Sequence, residues 1–131
     1  MTKTIVNTDA APAAAGPYSQ AVKGGGLVFV SGQLPIDPAT GEMPESVTDQ
    51  TRRALDNIAA ILDAEGLTLA DVMKCMVFLT DMDTFSEMNA VYAGYFPSSP
   101  PARSAYQVVK LPKGAKVEIE AIALASGKVG A

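Results

Sequence analysis

The segment Val117-Glu118-Ile119-Glu120-Ala121-Ile122-Ala123-Leu124 constrains the fold more than any other stretch of the chain. Strand alternation puts Val117, Ile119, Ala121 and Ala123 on one side, while Ile122 and Leu124 share the other side with Glu118 and Glu120. A strand that is apolar in both registers needs cover on both faces of its sheet. Two helical segments can cover only one of them. The remaining face is expected to be buried by something else, and the simplest candidate is another copy of the same sheet.

Just upstream lies Pro100-Pro101-Ala102-Arg103-Ser104, an arginine set between a proline turn and a strand. The intervening Leu111-Pro112-Lys113-Gly114 has turn composition, which predicts that the two strands pair antiparallel. That pairing would bring a guanidinium and a carboxylate to one end of a sheet, an arrangement suited to holding a small carboxylate and moving a proton beside it.

Taken in order, the chain opens with a short strand at Thr4-Ile5-Val6 and an Ala/Pro segment over residues 8–15 that reads as a surface linker. Tyr18 to Val22 is a short strand, Gly24-Gly25-Gly26 its turn, and Leu27-Val28-Phe29-Val30 the return strand. No helix follows the glycines, so they are read as a hairpin turn and not as a phosphate loop. The return strand stops at Ser31-Gly32-Gln33, where glycine lets backbone approach something bound. From Thr48 to Glu65 the period becomes helical: Ala54, Leu55, Ile58, Ile61 and Leu62 form one stripe, Ser46 or Thr48 caps the start and Gly66 the end. Arg52, Arg53 and Asp56 are placed on the solvated face. Val72 to Leu79 is a strand, and Asp81 and Asp83 read as caps of the next helix, not as a metal pair. That helix, Thr84 to about Tyr95, carries Phe85, Met88, Val91, Tyr92 and Tyr95 on a side read as core. The pattern predicts one α+β domain over residues 1–131, with a mostly antiparallel sheet and two helices on one face.

Composition removes several classes of function. A net charge of -4 and a pI near 4.6 oppose sequence-independent binding to phosphate backbones, so no nucleic-acid partner is expected. Histidine is absent and Cys75 is the single cysteine, sitting in an apolar strand pattern as a small buried hydrophobe, so neither zinc spacing nor a disulfide framework can be written. No stretch approaches the roughly 20 apolar residues of a membrane helix, and no signal-peptide pattern opens the chain. The expected compartment is the cytoplasm.

Four stretches in one order, Gly16-Pro17-Tyr18-Ser19-Gln20-Ala21, Ser31-Gly32-Gln33-Leu34-Pro35, Pro101-Ala102-Arg103-Ser104 and Val117 to Ala123, resemble the reactive intermediate deaminase family, the Rid or YjgF group. The resemblance implies a chorismate-mutase-like α+β fold and a homotrimer whose sheets form a central barrel, with sites in the clefts between subunits. It also implies hydrolysis of 2-imino acids and enamines, such as 2-iminopropanoate and 2-aminoacrylate, to 2-keto acids and ammonia, with no cofactor and no metal. By the same resemblance Arg103 grips the substrate carboxylate and Glu120 positions or activates water. Tyr18, Ser31, Gly32 and Asn89 complete the pocket wall. Many family members have a cysteine two residues after this arginine; here the position is Ala105.

The residues suit that chemistry independently. An imine is already electrophilic, so its hydrolysis needs orientation, water and proton transfer. Arginine takes a carboxylate in a bidentate grip, and a carboxyl among Ile119, Ala121 and Ile122 can have its pKa raised toward neutrality. Glu118 shares a strand face with Glu120, so one can be functional and the other solvated or structural. Arg103 pairing with a neighbouring Glu across an interface and Tyr18 as a core aromatic with its hydroxyl at the edge are the structural alternatives. A binding module for keto or amino acids, and a ribonuclease or translation inhibitor, are the alternative functions.

Overall fold

The strand that requires cover on both faces lies inside the sheet, not at its edge. In the computed structural model, which describes residues 2–125, strands β1 (Thr4–Val6), β2 (Ala21–Gly24) and β3 (Leu27–Gln33) precede helix α1 (Val47–Asp63). Strand β4 (Val72–Leu79), helix α2 (Phe85–Tyr95), β5 (Ala102–Gln107) and β6 (Val117–Leu124) follow. The sheet order is β1-β2-β3-β6-β4-β5, which puts β6 between β3 and β4. All neighbours run antiparallel except β4 and β5, which are parallel.

The hairpin expected between β5 and β6 therefore does not form. Strand β5 returns beside β4 through the α2 crossover and stays at the sheet edge, where its half-exposed, polar sequence and preceding prolines fit. The apolar β6 takes the central position, where both neighbours satisfy its backbone. Between them, Pro112–Gly114 forms a single 3-10 turn with Lys113 at φ 59° and Gly114 at φ 72°, turning the chain past the end of β4.

Helix α1 forms as its period predicts. Ser46 Oγ accepts from the Asp49 amide at 3.0 Å, and Gly66 takes the left-handed φ of 71° after the last turn. Ala54, Leu55, Ile58, Ile61 and Leu62 have no exposed surface. Burying each of the larger ones contributes about 1.5–3 kcal/mol. They lie with Val28, Val30, Val77, Ile119, Ala121 and Ala123 in one core on the helix-covered face. The supposedly solvated face of α1 is less free than its charges suggest: Asp56 accepts from the Tyr95 hydroxyl at 2.7 Å, and Arg53 donates to Asn57.

The opposite face of the sheet has no helix. It presents Ile5, Phe29, Tyr106 and Leu124 exposed, with Val22, Met76, Phe78 and Ile122 half-buried between them. No helix among the described residues is long and apolar enough to cross a membrane.

Residues 8–15 are not a loose linker. The buried Gln20 side chain accepts from the Thr8 amide at 2.7 Å and donates to the carbonyls of Thr8, Ala11 and Pro12 at 3.0, 3.3 and 2.8 Å. This one amide ties the Ala/Pro segment to the start of β2. Ala11 is correspondingly buried, and the segment becomes one wall of a cleft.

Candidate active site

The cleft is built around a defect in β3. Val30 pairs with Ala121 and Gln33 with Ile119, so β3 carries one extra residue between them and the register shifts across Ser31 and Gly32. Such a bulge bends the strand and leaves local backbone out of the ladder. Ser31 Oγ donates to the Ser19 carbonyl at 2.6 Å, which fixes the bulge against the chain entering β2. Tyr18, 53% exposed, stands at the rim as a wall residue, not as a core aromatic. The cleft, of about 520 Å³, is lined on its polar side by Ser31, Gly32, Glu118, Glu120 and Lys113.

Glu118 is the carboxyl most altered by this setting. A Cβ built on Gly32 would overlap its Oε2 and lie 2.9 Å from its Cδ, so the space above Gly32 is occupied by the Glu118 carboxyl. Burial, and secondly the negative charge of Glu120, push the Glu118 pKa up. A carboxyl that keeps its proton to higher pH is suited to proton transfer. The resemblance gives Glu120 a proton-handling role, and equal spacing on one strand face leaves either glutamate able to fill it; the close approach to Gly32 distinguishes Glu118.

Arg103 lies elsewhere. Its row across the sheet is Cys75 and Ala121, whereas Glu120 shares a row with Met76 and Ser104. Adjacent rows project to opposite faces, so within one chain the arginine points to the helix-covered side and the two glutamates to the open side. The expectation that one sheet end gathers the guanidinium and a carboxylate is thus not met inside a single chain. Arg103 Nη1 donates to Asn89 Oδ1 at 2.8 Å. Its Cζ sits 4.7 Å from the Tyr92 ring centroid and 5.4 Å from that of Phe85. No carboxylate among the described residues pairs with it.

The site residues form two groups: Arg103 with Asn89, and Tyr18, Ser31 and Gly32 with the two glutamates. Cys75, cross-strand from Arg103, is buried, and that burial raises its thiol pKa although Tyr92 and Arg103 oppose the shift. Ala105, two residues after Arg103, packs against the core. Among the described residues no group of three or more acidic or cysteine side chains is placed to hold a metal ion. Gln20, a polar side chain beside a short apolar strand, is a further residue that shapes the cleft. Tyr92 lies in the core, as its spacing predicts, and also meets Arg103.

Comparison with known proteins supplies a second, independent line. The family described as Endoribonuclease L-PSP matches residues 8–125. A 2-iminobutanoate/2-iminopropanoate deaminase of Capra hircus is 50% identical over 125 residues, covering 95% of this chain and 91% of the goat protein. A RutC family protein of Pyrococcus horikoshii is 53% identical over 122 residues, covering 92% of this chain and 97% of its own. The crystal structure of Escherichia coli TdcF with bound serine aligns with a TM-score of 0.90 at 48% identity, covering 92% of this chain and 98% of TdcF.

Proposed function

The chain belongs to the Endoribonuclease L-PSP family, which includes the RidA and YjgF reactive intermediate deaminases, and from that membership we propose that it hydrolyses 2-imino acids and their enamines to 2-keto acids and ammonia. The observation that carries the reading is that one chain offers both an arginine with no carboxylate partner among the described residues and, on the other face of the sheet, a carboxyl of raised pKa in a cleft. One is ready to take a carboxylate, the other to move a proton.

Because the two lie on opposite faces of one sheet, the working site draws Arg103 and Asn89 from one copy and Tyr18, Ser31, Gly32 and Glu118 from a neighbour. A closed trimer that covers the open apolar face of each sheet would accomplish this. The fold and the arrangement of exposed apolar residues are compatible with that assembly.

In the reaction, Arg103 holds the substrate carboxylate through paired N–H donors. Protonated Glu118 gives its proton to C3 of 2-aminoacrylate, and the C=C pair becomes the C3–H bond while an iminium forms at C2. Glu118, now a carboxylate, takes a proton from water as the water oxygen bonds to C2. That proton passes to nitrogen, the C–N bond breaks with its electron pair leaving on ammonia, and the hydroxyl oxygen forms the keto C=O as its remaining proton returns to Glu118, restoring the protonated carboxyl. One enamine and one water give one 2-keto acid and one ammonia, so no redox partner enters. Burial, and secondly the charge of Glu120, keep the Glu118 pKa high.

A binding module for small carboxylates is the second reading, favoured by the bound serine in TdcF. The nuclease description of the family finds little support in a net charge of -4 and a cleft with two glutamates, which repel phosphate. The test is the rate of keto-acid release from a freshly generated 2-imino acid, with and without the protein, alongside Arg103→Ala. Acceleration lost in the variant supports the reading. Binding of pyruvate without acceleration moves the protein to the second reading, and equal acceleration by both forms removes Arg103 from the site.

A further inference from the structure

Building on the reading of Arg103 as the carboxylate anchor, we propose that Tyr92, with Phe85 as a lesser wall, is the positioning residue that holds this guanidinium ready for a ligand. Residues 85, 89 and 92 share one face of α2 by helical spacing. All three meet the same side chain: Phe85 at 5.4 Å, Asn89 at 2.8 Å and Tyr92 at 4.7 Å. None of them carries a charge. A ring attracts a cation through its quadrupole without neutralising it, whereas a carboxylate in the same place would cancel the attraction for an incoming anion. The slot fixes the direction of Arg103 and leaves its charge available.

Tyr92 can do this because its own place is set by the core. It is 5% exposed, its ring centroid lies 4.7 Å from that of Phe96, and it reaches the Cys75 thiol, the cross-strand neighbour of Arg103. Among the described residues its buried hydroxyl makes no hydrogen bond. The contact with Arg103 is made by the face of the ring. Long flexible side chains lose rotamer freedom when they bind, and a guanidinium ordered beforehand avoids much of that loss at the encounter.

The test compares Tyr92→Leu, Tyr92→Phe and Phe85→Leu for kcat and KM in imine hydrolysis, for the Kd of pyruvate by calorimetry, and for thermal unfolding. Tyr92→Leu is expected to raise KM and the pyruvate Kd roughly tenfold while kcat changes much less. Tyr92→Phe, which keeps the ring, should raise them no more than about threefold. Phe85→Leu, at a half-buried position, gives a smaller increase than Tyr92→Leu and decides the question through Kd if Tyr92→Leu does not fold. Unchanged KM and Kd in the leucine variants overturn the proposal, as does a phenylalanine variant as impaired as the leucine one. A wild-type protein that binds pyruvate without speeding hydrolysis removes the deaminase reading, and the Kd series then still decides the role of Tyr92.

Discussion

Gly32 and Glu118 occupy one space: the carboxyl of Glu118 fills the volume that a side chain on residue 32 would need, with its Cδ 2.9 Å and its Cγ 3.3 Å from the position of that Cβ. The backbone at Gly32 is not left-handed, so alanine is excluded by the carboxyl and not by the chain. Gly32→Ala is expected to lower kcat on the order of 10- to 100-fold by displacing Glu118. Its unfolding free energy should stay within about 1 kcal/mol of wild type, since a flexible side-chain end can move aside and alanine restricts the unfolded chain. Unaltered turnover would show that the position of Glu118 is immaterial.

The raised pKa of Glu118 gives two signed outcomes. As proton donor it must be protonated, so kcat/KM falls as pH rises through its folded pKa. Glu120→Gln removes the neighbouring negative charge that helps raise this pKa, and the alkaline limb should move to lower pH. For stability, a carboxyl with a raised folded pKa contributes fully below its unfolded pKa and loses that contribution as pH rises through the folded value. Glu118→Gln is accordingly expected to melt higher than wild type at neutral pH, with the advantage vanishing below the ordinary carboxylate range. Melting curves at the two pH values decide it, and an advantage independent of pH contradicts the assignment.

Replacing Arg103 by Lys keeps the charge and loses the paired donors. The loss in kcat/KM should be roughly 10- to 100-fold. Circular dichroism and sedimentation should be unchanged, because Arg103 is half-buried at a sheet edge and pairs with no carboxylate among the described residues. Near wild-type turnover would end the carboxylate-grip role.

Gln20→Ala removes the amide that ties residues 8–15 to the sheet. Stranding the carbonyls of Thr8, Ala11 and Pro12 and the amide of Thr8 should cost roughly 2–4 kcal/mol of stability. The cleft wall opens with it, so kcat/KM falls too. Chemical denaturation and exchange of the Thr8 amide measure the two effects, and an amide protected as before would count against the tie.

Mixing two inactive variants tests whether the site spans copies. Arg103→Ala retains Glu118, and Glu118→Gln retains Arg103. Co-refolded in equal amounts, they should regain roughly a quarter of wild-type activity, from random assortment around a closed ring. A mixture as inactive as its components would place both groups in the same copy.

How much of this was legible beforehand follows from the range of each interaction. The stripe of α1, its Ser46 cap, the turn at Gly25 and Gly26, and an acidic cap near Asp81 were readable because period and capping are local, although Asp81 caps the 3-10 turn Met82–Thr84 and α2 itself starts without a side-chain cap. The alternation of β6, with one register fully buried and the other only partly so, was likewise visible in its sequence. The four motif stretches likewise carry the family resemblance that the match over residues 8–125 bears out.

Tertiary structure decided what local pattern leaves degenerate. Alternation says that Glu118 and Glu120 share a face but not which one meets a bulge in another strand. Turn composition at Leu111 to Gly114 suggests a hairpin, yet strand order is set by which segment gains most from two neighbours, and the apolar β6 outcompetes the polar β5 for the centre. That ordering, together with the parallel register of β4 and β5, sends Arg103 into the aromatic slot of α2 and away from the glutamates. Periodicity fixes the faces of each strand, whereas hydrogen bonding and burial between residues far apart in sequence fix who stands beside whom.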